Sequence, residues 1–206
     1  MSQNSFFSDF IGPFPDVLWE PDFLTPDEHR DLYAYCLNEL SWKIAHMTFG
    51  GNPVAVPREL AWFGDVPYAY SGLKHAAAPM PPPLDALRQK IEAYLVSQNI
   101  DRKLNSVLLH HYRSGAHSIG MHSDDEEQLH TQPVIASVSL GDPRTFVFQH
   151  KGLGIRHANL LPGGSLLVMK GTCQDEWRHG IPKEQLGPSD RINLTFRFTH
   201  EGPAGM

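Results

Sequence analysis

The stretch RINLTFRF (residues 191–198) carries the clearest pattern in the chain. Apolar residues alternate strictly with polar ones, Ile192, Leu194, Phe196 and Phe198 against Arg191, Asn193, Thr195 and Arg197. Because successive side chains of a strand point to opposite faces, the run predicts a β-strand with one apolar and one wholly polar face. The polar face is either exposed to solvent or, with its two arginines, a wall that binds a carboxylate. Periodicity alone leaves both interpretations open.

Four earlier runs after residue 104 share this β character. They are SVLLHHY, PVIASVSL, RTFVFQH and GSLLVMK, each short, rich in β-branched or aromatic residues and bounded by Gly, Pro or Asp. No helical period intervenes between them. The chain therefore predicts a mostly β (α+β) fold whose core, residues 104–199, is a sandwich, jelly roll or barrel.

Two helices are predicted before the β region. Thr25 can cap the first and Glu28 completes a capping box, after which an apolar stripe runs to about residue 41. The second helix is expected over about residues 84–98. The segment between them, residues 42–83, is rich in Gly, Pro and aromatic residues without a sustained period, which predicts short strands and loops suited to recognition.

Length and charge limit the classes of protein that remain. The chain has 206 residues and a net charge of −6, so we expect one domain, residues 1–206, with no overall attraction to nucleic acid or to an anionic membrane. A nucleic-acid partner therefore requires a local basic patch. No apolar run approaches a membrane span, and Cys36 and Cys173 form no metal or disulfide framework. We expect an intracellular monomer, cytoplasmic or, in a eukaryote, nuclear.

A possible metal site lies in SIGMHSDDEEQ. His122 and Asp124 are two residues apart, on one side of an extended backbone, and His179 in DEWRHGI is the best candidate for a third ligand. Two histidines and one carboxylate leave open positions on iron for a 2-oxo acid and O₂. A His-x-Asp pair is weak evidence in a chain with 12 histidines. Its occurrence before the Arg191 strand is what favours iron oxygenase chemistry over a zinc or structural site.

Several longer runs together resemble the AlkB family of Fe(II)/2-oxoglutarate dioxygenases. They are LLHHYRSGAHSIGMHSDDE, PVIASVSLGDPRTFVFQHK, LPGGSLLVMKG, EWRHGIP and RINLTFRF, with VPRELAWFGD and YAYSGL upstream. The resemblance implies a double-stranded β-helix, or jelly roll, with N-terminal helices packed outside. It also implies that residues 42–83 form the nucleotide-recognition lid of members that repair alkylated DNA.

The resemblance further implies a role for each matching residue. His122, Asp124 and His179 are then the iron ligands, and Arg191 pairs with the distal carboxylate of 2-oxoglutarate. The other residues expected around the cosubstrate are Tyr112, Asn193, Thr195, Arg197 and His110. Arg197 is expected near the keto-acid end or beside an iron ligand. His110 departs from the family, which usually has Asn there, so cosubstrate affinity or its pH dependence is expected to differ.

The activity implied is oxidative dealkylation of N-methylated bases in DNA. Fe(II), 2-oxoglutarate and O₂ are the expected cofactor and cosubstrates, with succinate, CO₂ and formaldehyde as products and 1-methyladenine and 3-methylcytosine as lesions. Both lesions are cationic, so Asp125 and Glu126 are candidates for an acidic pocket. Methylation that blocks pairing also lowers the cost of flipping the base.

Further substrate contacts are expected on the lid. Tyr68, Tyr70 and Trp62 are candidates for stacking on the flipped base, although aromatic residues in such a segment more often pack into the core. Arg58 is expected to contact phosphate, Ser71 lies in the same YAYSGL segment, and Phe49 aligns with an apolar wedge. Other basic residues available near the mouth are Lys74, Arg113, Arg144, Lys151 and Arg156, whose usual place is a solvated surface.

Two alternatives remain open from the sequence. In the first, the same chemistry is directed at RNA or a protein side chain, and the lid resemblance is misleading. A non-enzymatic jelly roll, whose His-x-Asp is incidental or holds a structural metal, is the other.

Overall fold

The computed structural model describes residues 6–7, 12–49, 51–70, 73–184 and 190–201, without the side chains of residues 47–49, 69–70 and 73–74. Its helices are α1 (Pro26–Glu39), α2 (Pro82–Ser97) and α3 (Cys173–Glu176). Its strands are β1 (Val17–Glu20), β2 (Lys43–Phe49), β3 (Asn52–Gly64), β4 (Tyr68–Tyr70), β5 (Leu73–His75), β6 (Ser106–Tyr112), β7 (Ile119–His122), β8 (Ile135–Gly141), β9 (Arg144–His150), β10 (Arg156–Leu161), β11 (Leu166–Met169), β12 (Trp177–Ile181) and β13 (Arg191–Arg197).

Two antiparallel sheets form the body of the protein. The large sheet has seven strands in the order β1-β11-β8-β13-β6-β3-β2, and the small sheet has four in the order β10-β9-β12-β7. Apolar side chains from both, including Tyr112 and Leu167 of the large sheet and Phe148 of the small one, share one buried cluster. Sheets that face each other across such a core, with strands exchanged between them along the chain, are the jelly roll expected from the sequence.

Strand β13 lies inside the large sheet, paired with β6 on one side and β8 on the other. Its apolar residues pack with α1 and α2 in a second cluster that includes Cys36, Leu84 and Ile91, so the helices cover the outer face of this sheet. Its polar residues point the other way, toward the small sheet. Arg191 and Arg197 are only 1% and 2% exposed, which excludes the solvated interpretation of the polar face.

The two expected helices are present with nearly the expected bounds. Thr25 accepts a hydrogen bond from the backbone N–H of Glu28, whose side chain accepts one from the backbone N–H of Thr25, so the capping box forms. Helix α2 begins slightly before residue 84 because Pro82 suits the first turn of a helix.

The segment 42–83 differs from the expected short strands and loops. Strands β2 and β3 form a long hairpin, and β3 pairs with β6, so most of this segment extends the large sheet. Only β4 and β5 form a small separate sheet. Within the part of the chain that the structure describes, no helix combines the length and apolar character needed to cross a membrane.

Candidate metal centre and cosubstrate pocket

The three predicted ligands meet at the edge of the cleft between the sheets. His122 ends β7 and lies directly opposite His179 of β12 in the register of the two strands. One ligand atom of each histidine and one of Asp124 all lie within 4.8 Å of one another. Nε2 of His122 is 3.5 Å from Oδ1 of Asp124, and Nε2 of His179 is 3.9 Å from the same oxygen.

A glycine beside His179 allows this close approach of β7 and β12. A Cβ on Gly180 would lie 2.9 Å from the carbonyl oxygen of Ile119 and 3.0 Å from that of Gly120. Gly120 also fixes the first ligand, because Nδ1 of His122 donates to its carbonyl oxygen at 2.8 Å. That hydrogen bond leaves Nε2 of His122 as the lone-pair donor to a metal.

The protonation states in the site suit a divalent cation. Burial lowers the pKa of His179 to about 3, so its imidazole is neutral near neutral pH. Burial opposes ionisation of Asp124, but Arg197 and the hydrogen bond with His122 outweigh it and hold the pKa of this carboxyl well below its usual value. Although burial opposes it, the same hydrogen bond raises the pKa of His122 above its usual value, and a bound metal would displace that proton. Neutral imidazole and ionised carboxylate are the forms that bind metal, so the ligand set fits Fe(II).

Asp124 is held from both sides by buried groups. Nη2 of Arg197 donates to its Oδ2 at 2.9 Å, and its backbone N–H donates to Oε1 of Gln174 in α3 at 2.9 Å. The other end of the Arg197 fork, Nη1, donates to the hydroxyl of Tyr68 at 2.9 Å. The second carboxylate oxygen is thus occupied, which leaves Oδ1 facing the two histidines.

The inner face of β13 continues from the triad into a cleft that is also lined by His110 and Tyr112 of β6 and by Ser137 of β8. At its far end, Nη2 of Arg191 donates to Oγ of Ser139 at 3.0 Å and to Oδ1 of Asn193 at 2.7 Å. The guanidinium carbon lies 5.5 Å from the ring centre of Tyr112. Within the described residues, Nε and Nη1 of Arg191 have no hydrogen-bond partner although they are buried.

The two unpaired donors of Arg191 would suit a bound anion. A buried guanidinium without its hydrogen bonds costs free energy, and burial lowers the pKa of Arg191 to about 10, so the group stays charged at neutral pH. A carboxylate bound to the fork would satisfy both the charge and the hydrogen bonds. The cleft thus fits a molecule with one carboxylate at Arg191 and a chelating group at the triad, as 2-oxoglutarate has.

Comparison with known proteins agrees with this geometry. The family model described as the 2OG-Fe(II) oxygenase superfamily matches residues 16–197. This chain belongs to the 2OG-Fe(II) oxygenase superfamily. Membership implies Fe(II), 2-oxoglutarate and O₂, as the sequence predicted.

Relatives of this superfamily member include AlkB homologues. The alpha-ketoglutarate-dependent dioxygenase alkB homolog 3 of Mus musculus is 37% identical over 159 residues, which are 72% of this chain and 54% of that protein. The homolog 3 of Bos taurus is 32% identical, over 90% of this chain and 66% of that protein. The DNA oxidative demethylase ALKBH2 of Homo sapiens is 35% identical, over 75% and 61% respectively. These matches confirm the AlkB-family resemblance, and the chain spans about half the length of the first of these relatives.

Solved oxygenase structures share the fold of this superfamily member. OsALKBH1 superposes with a TM-score of 0.65 at 19% sequence identity, over 91% of this chain and all of that one. A prolyl-4-hydroxylase from Pseudomonas putida superposes with a TM-score of 0.59 at 17% identity, over 91% and 94%. At these identities the likeness supports the jelly-roll fold.

The aromatic residues expected to stack on a base are buried in this oxygenase. Tyr68 is 1% exposed and Trp62 is 7% exposed, and their rings stack on each other with centres 4.4 Å apart and planes 7° from parallel. The hydroxyl of Tyr68 is engaged by Arg197. Of the two interpretations that the sequence left open, the burial of these rings favours packing into the core over an open stacking platform.

Two arginines expected at the surface are buried instead. Arg58 is 6% exposed and its Nη1 donates to the carbonyl oxygen of Ser118 at 3.3 Å, so its guanidinium is not exposed at the surface. Arg144 is fully buried, and its Nε lies 3.1 Å from Oε2 of Glu184. Neither residue forms part of an exposed basic patch.

The two predicted acids directly follow Asp124 in the chain. Asp125 is exposed, whereas Glu126 is half-buried. Burial and the neighbouring Asp124 raise the pKa of Glu126 above its usual value. Ser71 lies outside the described residues, and so do the side chains of Phe49 and Tyr70, so their predicted roles stay predictions.

His110 occupies the position at which this chain departs from the family pattern. It faces the cleft from β6, directly opposite Asn193 in the register, and is 5% exposed. Burial, with Arg58 and Arg197 nearby, holds the pKa of His110 well below its usual value. A neutral imidazole here offers one donor and one acceptor where an amide offers two donors and an acceptor.

Some residues of the site were not found from the sequence. Ser137 and Ser139 interrupt the apolar run of β8, and that interruption is a signal that their side chains face the cleft, where they hydrogen-bond Asn193 and Arg191. Phe146, whose ring stacks on His179 at 5.5 Å, and Gln174 carry no such signal. Their roles depend on which strands and helices pack together.

Proposed function

We propose that this chain is a 2-oxoglutarate-dependent dealkylase that removes N-methyl groups from nucleic-acid bases, with 1-methyladenine and 3-methylcytosine in DNA as substrates. The observation that carries the proposal is the presence of two acids, Asp125 and Glu126, directly after the ligand Asp124, with Glu126 close enough for Asp124 to raise its pKa. The similarity to relatives that include a DNA oxidative demethylase also supports the proposal. The chain spans only part of the length of those relatives, so their activity is a proposal for this chain.

The acids suit a cationic base. N-methylation at these positions leaves the base positively charged, and Glu126 is half-buried beside the ionised Asp124. A bound cation would offset the repulsion between the two carboxylates, so the pKa of Glu126 should fall when substrate binds. A neutral, unmethylated base offers no such gain, which would favour the lesion over the product.

The chain's own residues define what the bound groups would do. Fe(II) with 2-oxoglutarate and O₂ supplies the oxidation of an N-methyl carbon, after which formaldehyde leaves and the base is restored. His122, Asp124 and His179 would hold the iron, while Arg191 holds the distal carboxylate of the cosubstrate. Phe146 and Ile181 line the same cleft and exclude water from it. Arg197 keeps Asp124 ionised and turned toward the histidines.

Turnover of a defined lesion tests the proposal. The protein is incubated aerobically with Fe(II), 2-oxoglutarate and a single-stranded DNA carrying one 3-methylcytosine, and succinate, formaldehyde and the mass of the DNA are measured. Equal yields of succinate, formaldehyde and demethylated base are expected. Asp124→Ala is the control variant, because it removes the carboxylate ligand. Consumption of 2-oxoglutarate without demethylation of DNA, accompanied by demethylation of RNA or of a peptide, would contradict the DNA assignment.

Spectroscopy separates this proposal from a non-catalytic jelly roll. Anaerobic addition of Fe(II) and 2-oxoglutarate should give a metal-to-ligand charge-transfer band, which requires chelation of the metal by the 2-oxo acid. His122→Ala should abolish that band. A protein that gives no band, or a variant that keeps it, would show that the triad does not hold iron in this way.

A further inference from the structure

A group of exposed or half-buried rings and exposed cations lies outside the cleft, at the end of β13. We call it the rim cluster: His130, Phe198, His200, Arg102 and Lys103. The ring centres of His130 and Phe198 are 5.3 Å apart with planes 17° from parallel, and those of His130 and His200 are 5.2 Å apart. Arg102, Lys103, His130 and Phe198 line one open depression on this surface.

The rim cluster is joined to the metal site by short stretches of chain. Phe198 directly follows Arg197, which binds Asp124. The loop that begins at Asp124 continues to His130, and Gln128 in that loop donates to the carbonyl oxygen of Pro67 at 2.7 Å. The backbone N–H of His200 donates to the carbonyl oxygen of Gln128 at 3.1 Å. The cluster therefore lies at the same end of the jelly roll as the triad.

The exposure of these rings calls for an explanation that packing does not supply. Phe198 continues the apolar alternation of β13 but lies beyond the end of the strand and is 37% exposed, unlike Phe196, which is fully buried. His130 is exposed and its ring lies flat against Phe198. A flat aromatic surface open to solvent can accept a further planar ring.

The cations beside the rings can reach a charged group. Arg102 is exposed and makes no ion pair within the described residues, while Lys103 is 77% exposed and lies 3.5 Å from Glu92. Asp101, next to Arg102, reduces the positive potential, so electrostatic attraction alone would bind an anion weakly here. A ligand that both stacks on an aromatic surface and carries a phosphate would use both parts of the cluster.

We propose that the rim cluster binds a nucleotide that lies beyond the immediate neighbours of the target base on a single strand, its base stacked on the His130–Phe198 surface and its phosphate at Arg102 and Lys103. This inference rests on the proposed nucleic-acid substrate. It adds a binding site outside the cleft. It predicts that the protein binds a single strand more tightly when the strand extends beyond the target nucleotide and its immediate neighbours. Stacking is tolerant of sequence, so the site would give affinity without sequence preference.

Strand length separates the rim cluster from the cleft in a binding experiment. Protein with Fe(II) and 2-oxoglutarate is titrated anaerobically into fluorescent DNA with a central 3-methylcytosine, either a trinucleotide or a strand of about ten nucleotides, within the range that one nucleic-acid-binding fold covers. Phe198→Leu keeps the apolar volume but removes the flat ring. It should weaken binding of the longer strand by roughly tenfold and leave the affinity for the trinucleotide unchanged.

Matched variants test each part of the site. Phe198→Tyr should keep the affinity of the native protein, and Leu160→Ala, which removes another exposed apolar side chain, on β10, should change nothing. Arg102→Gln should flatten the dependence of log affinity on log salt by about 0.7, the value for one phosphate contact on a single strand. The charge-transfer band and the unfolding midpoint show that each variant is folded and holds iron.

The outcomes distinguish the two proposals. If the native protein binds and demethylates the longer strand but Phe198→Leu binds it equally well, the rim cluster is not a nucleotide site. An equal loss for both strand lengths would also overturn it, because the change would then act through the cleft. If the native protein gives the charge-transfer band but binds neither strand, the nucleic-acid function fails and the rim proposal fails with it.

Discussion

Replacing Arg191 by methionine should remove most of the stabilisation of the protein by 2-oxoglutarate while leaving the fold intact. The guanidinium is 1% exposed, and the side chain already spans the space that a methionine would partly fill. Its Nε and Nη1 have no hydrogen-bond partner among the described residues, so both can donate to a bound ligand. Asn193 loses one donor in the variant but still accepts a hydrogen bond from Oγ of Ser137 at 2.9 Å.

The expected size follows from the buried charge pair that the variant cannot form. Truncating one partner of a buried, hydrogen-bonded charge pair costs about 2–5 kcal/mol, and roughly 3 kcal/mol weakens cosubstrate binding about 100-fold. At 2-oxoglutarate about 100 times the native dissociation constant, ligand binding stabilises the native protein by about 2.7 kcal/mol and the variant by only about 0.4 kcal/mol. For a chain of this length, the unfolding midpoint should rise by about 5–10 °C for the native protein and about 1 °C for the variant.

Thermal unfolding under anaerobic Fe(II), with and without 2-oxoglutarate, measures both shifts. Arg156→Met is the matched control, since it removes an exposed arginine on β10 and should keep the full native shift. Arg191→Lys should give an intermediate shift, because an ammonium keeps the charge but not the planar fork. An Arg191→Met protein that keeps the full 2-oxoglutarate shift would refute the assignment of this residue to the cosubstrate carboxylate.

Three further predictions concern the triad and its supports. Burial lowers the pKa of His179 to about 3, so His179 stays neutral in the folded protein, whereas in the unfolded chain it takes up a proton below about pH 6.5. The free energy of unfolding of the metal-free protein should therefore fall as the pH is lowered from about 6.5 to about 3. Urea unfolding should show a shallower fall for His179→Leu, and an unchanged pH dependence would contradict the prediction. Gly180→Ala should push β7 away from β12, lower the free energy of unfolding by about 1–3 kcal/mol and weaken Fe(II) binding. Urea unfolding and metal titration measure the two effects, and native Fe(II) affinity in the variant would argue against the close approach of the two strands. Tyr68→Phe keeps the ring stack but removes the acceptor for Arg197, so unfolding free energy should fall by about 1–3 kcal/mol in urea, and a protein as stable as the native one would show that this hydrogen bond contributes nothing.

The helices and the strand pattern were predictable because they depend on neighbours in sequence. The capping box joins Thr25 and Glu28, which are only three positions apart, and it forms as expected. The long hairpin of β2 and β3 was not found, because its Gly, Pro and aromatic residues conceal a period, and its pairing with β6 is a contact between distant segments. The sequence left open whether Tyr68 stacks on a base or packs into the core, because its contact with Arg197 joins residues that are far apart in the chain.

The sequence by itself determined that one face of residues 191–198 is polar and that His122 and Asp124 project to one side, because side chains alternate along any extended backbone. Only the tertiary structure decided that this polar face is buried in a cleft, since burial depends on the small sheet that packs against it. The meeting of His179 with His122 likewise depends on the register of β7 and β12, which non-local strand pairing sets.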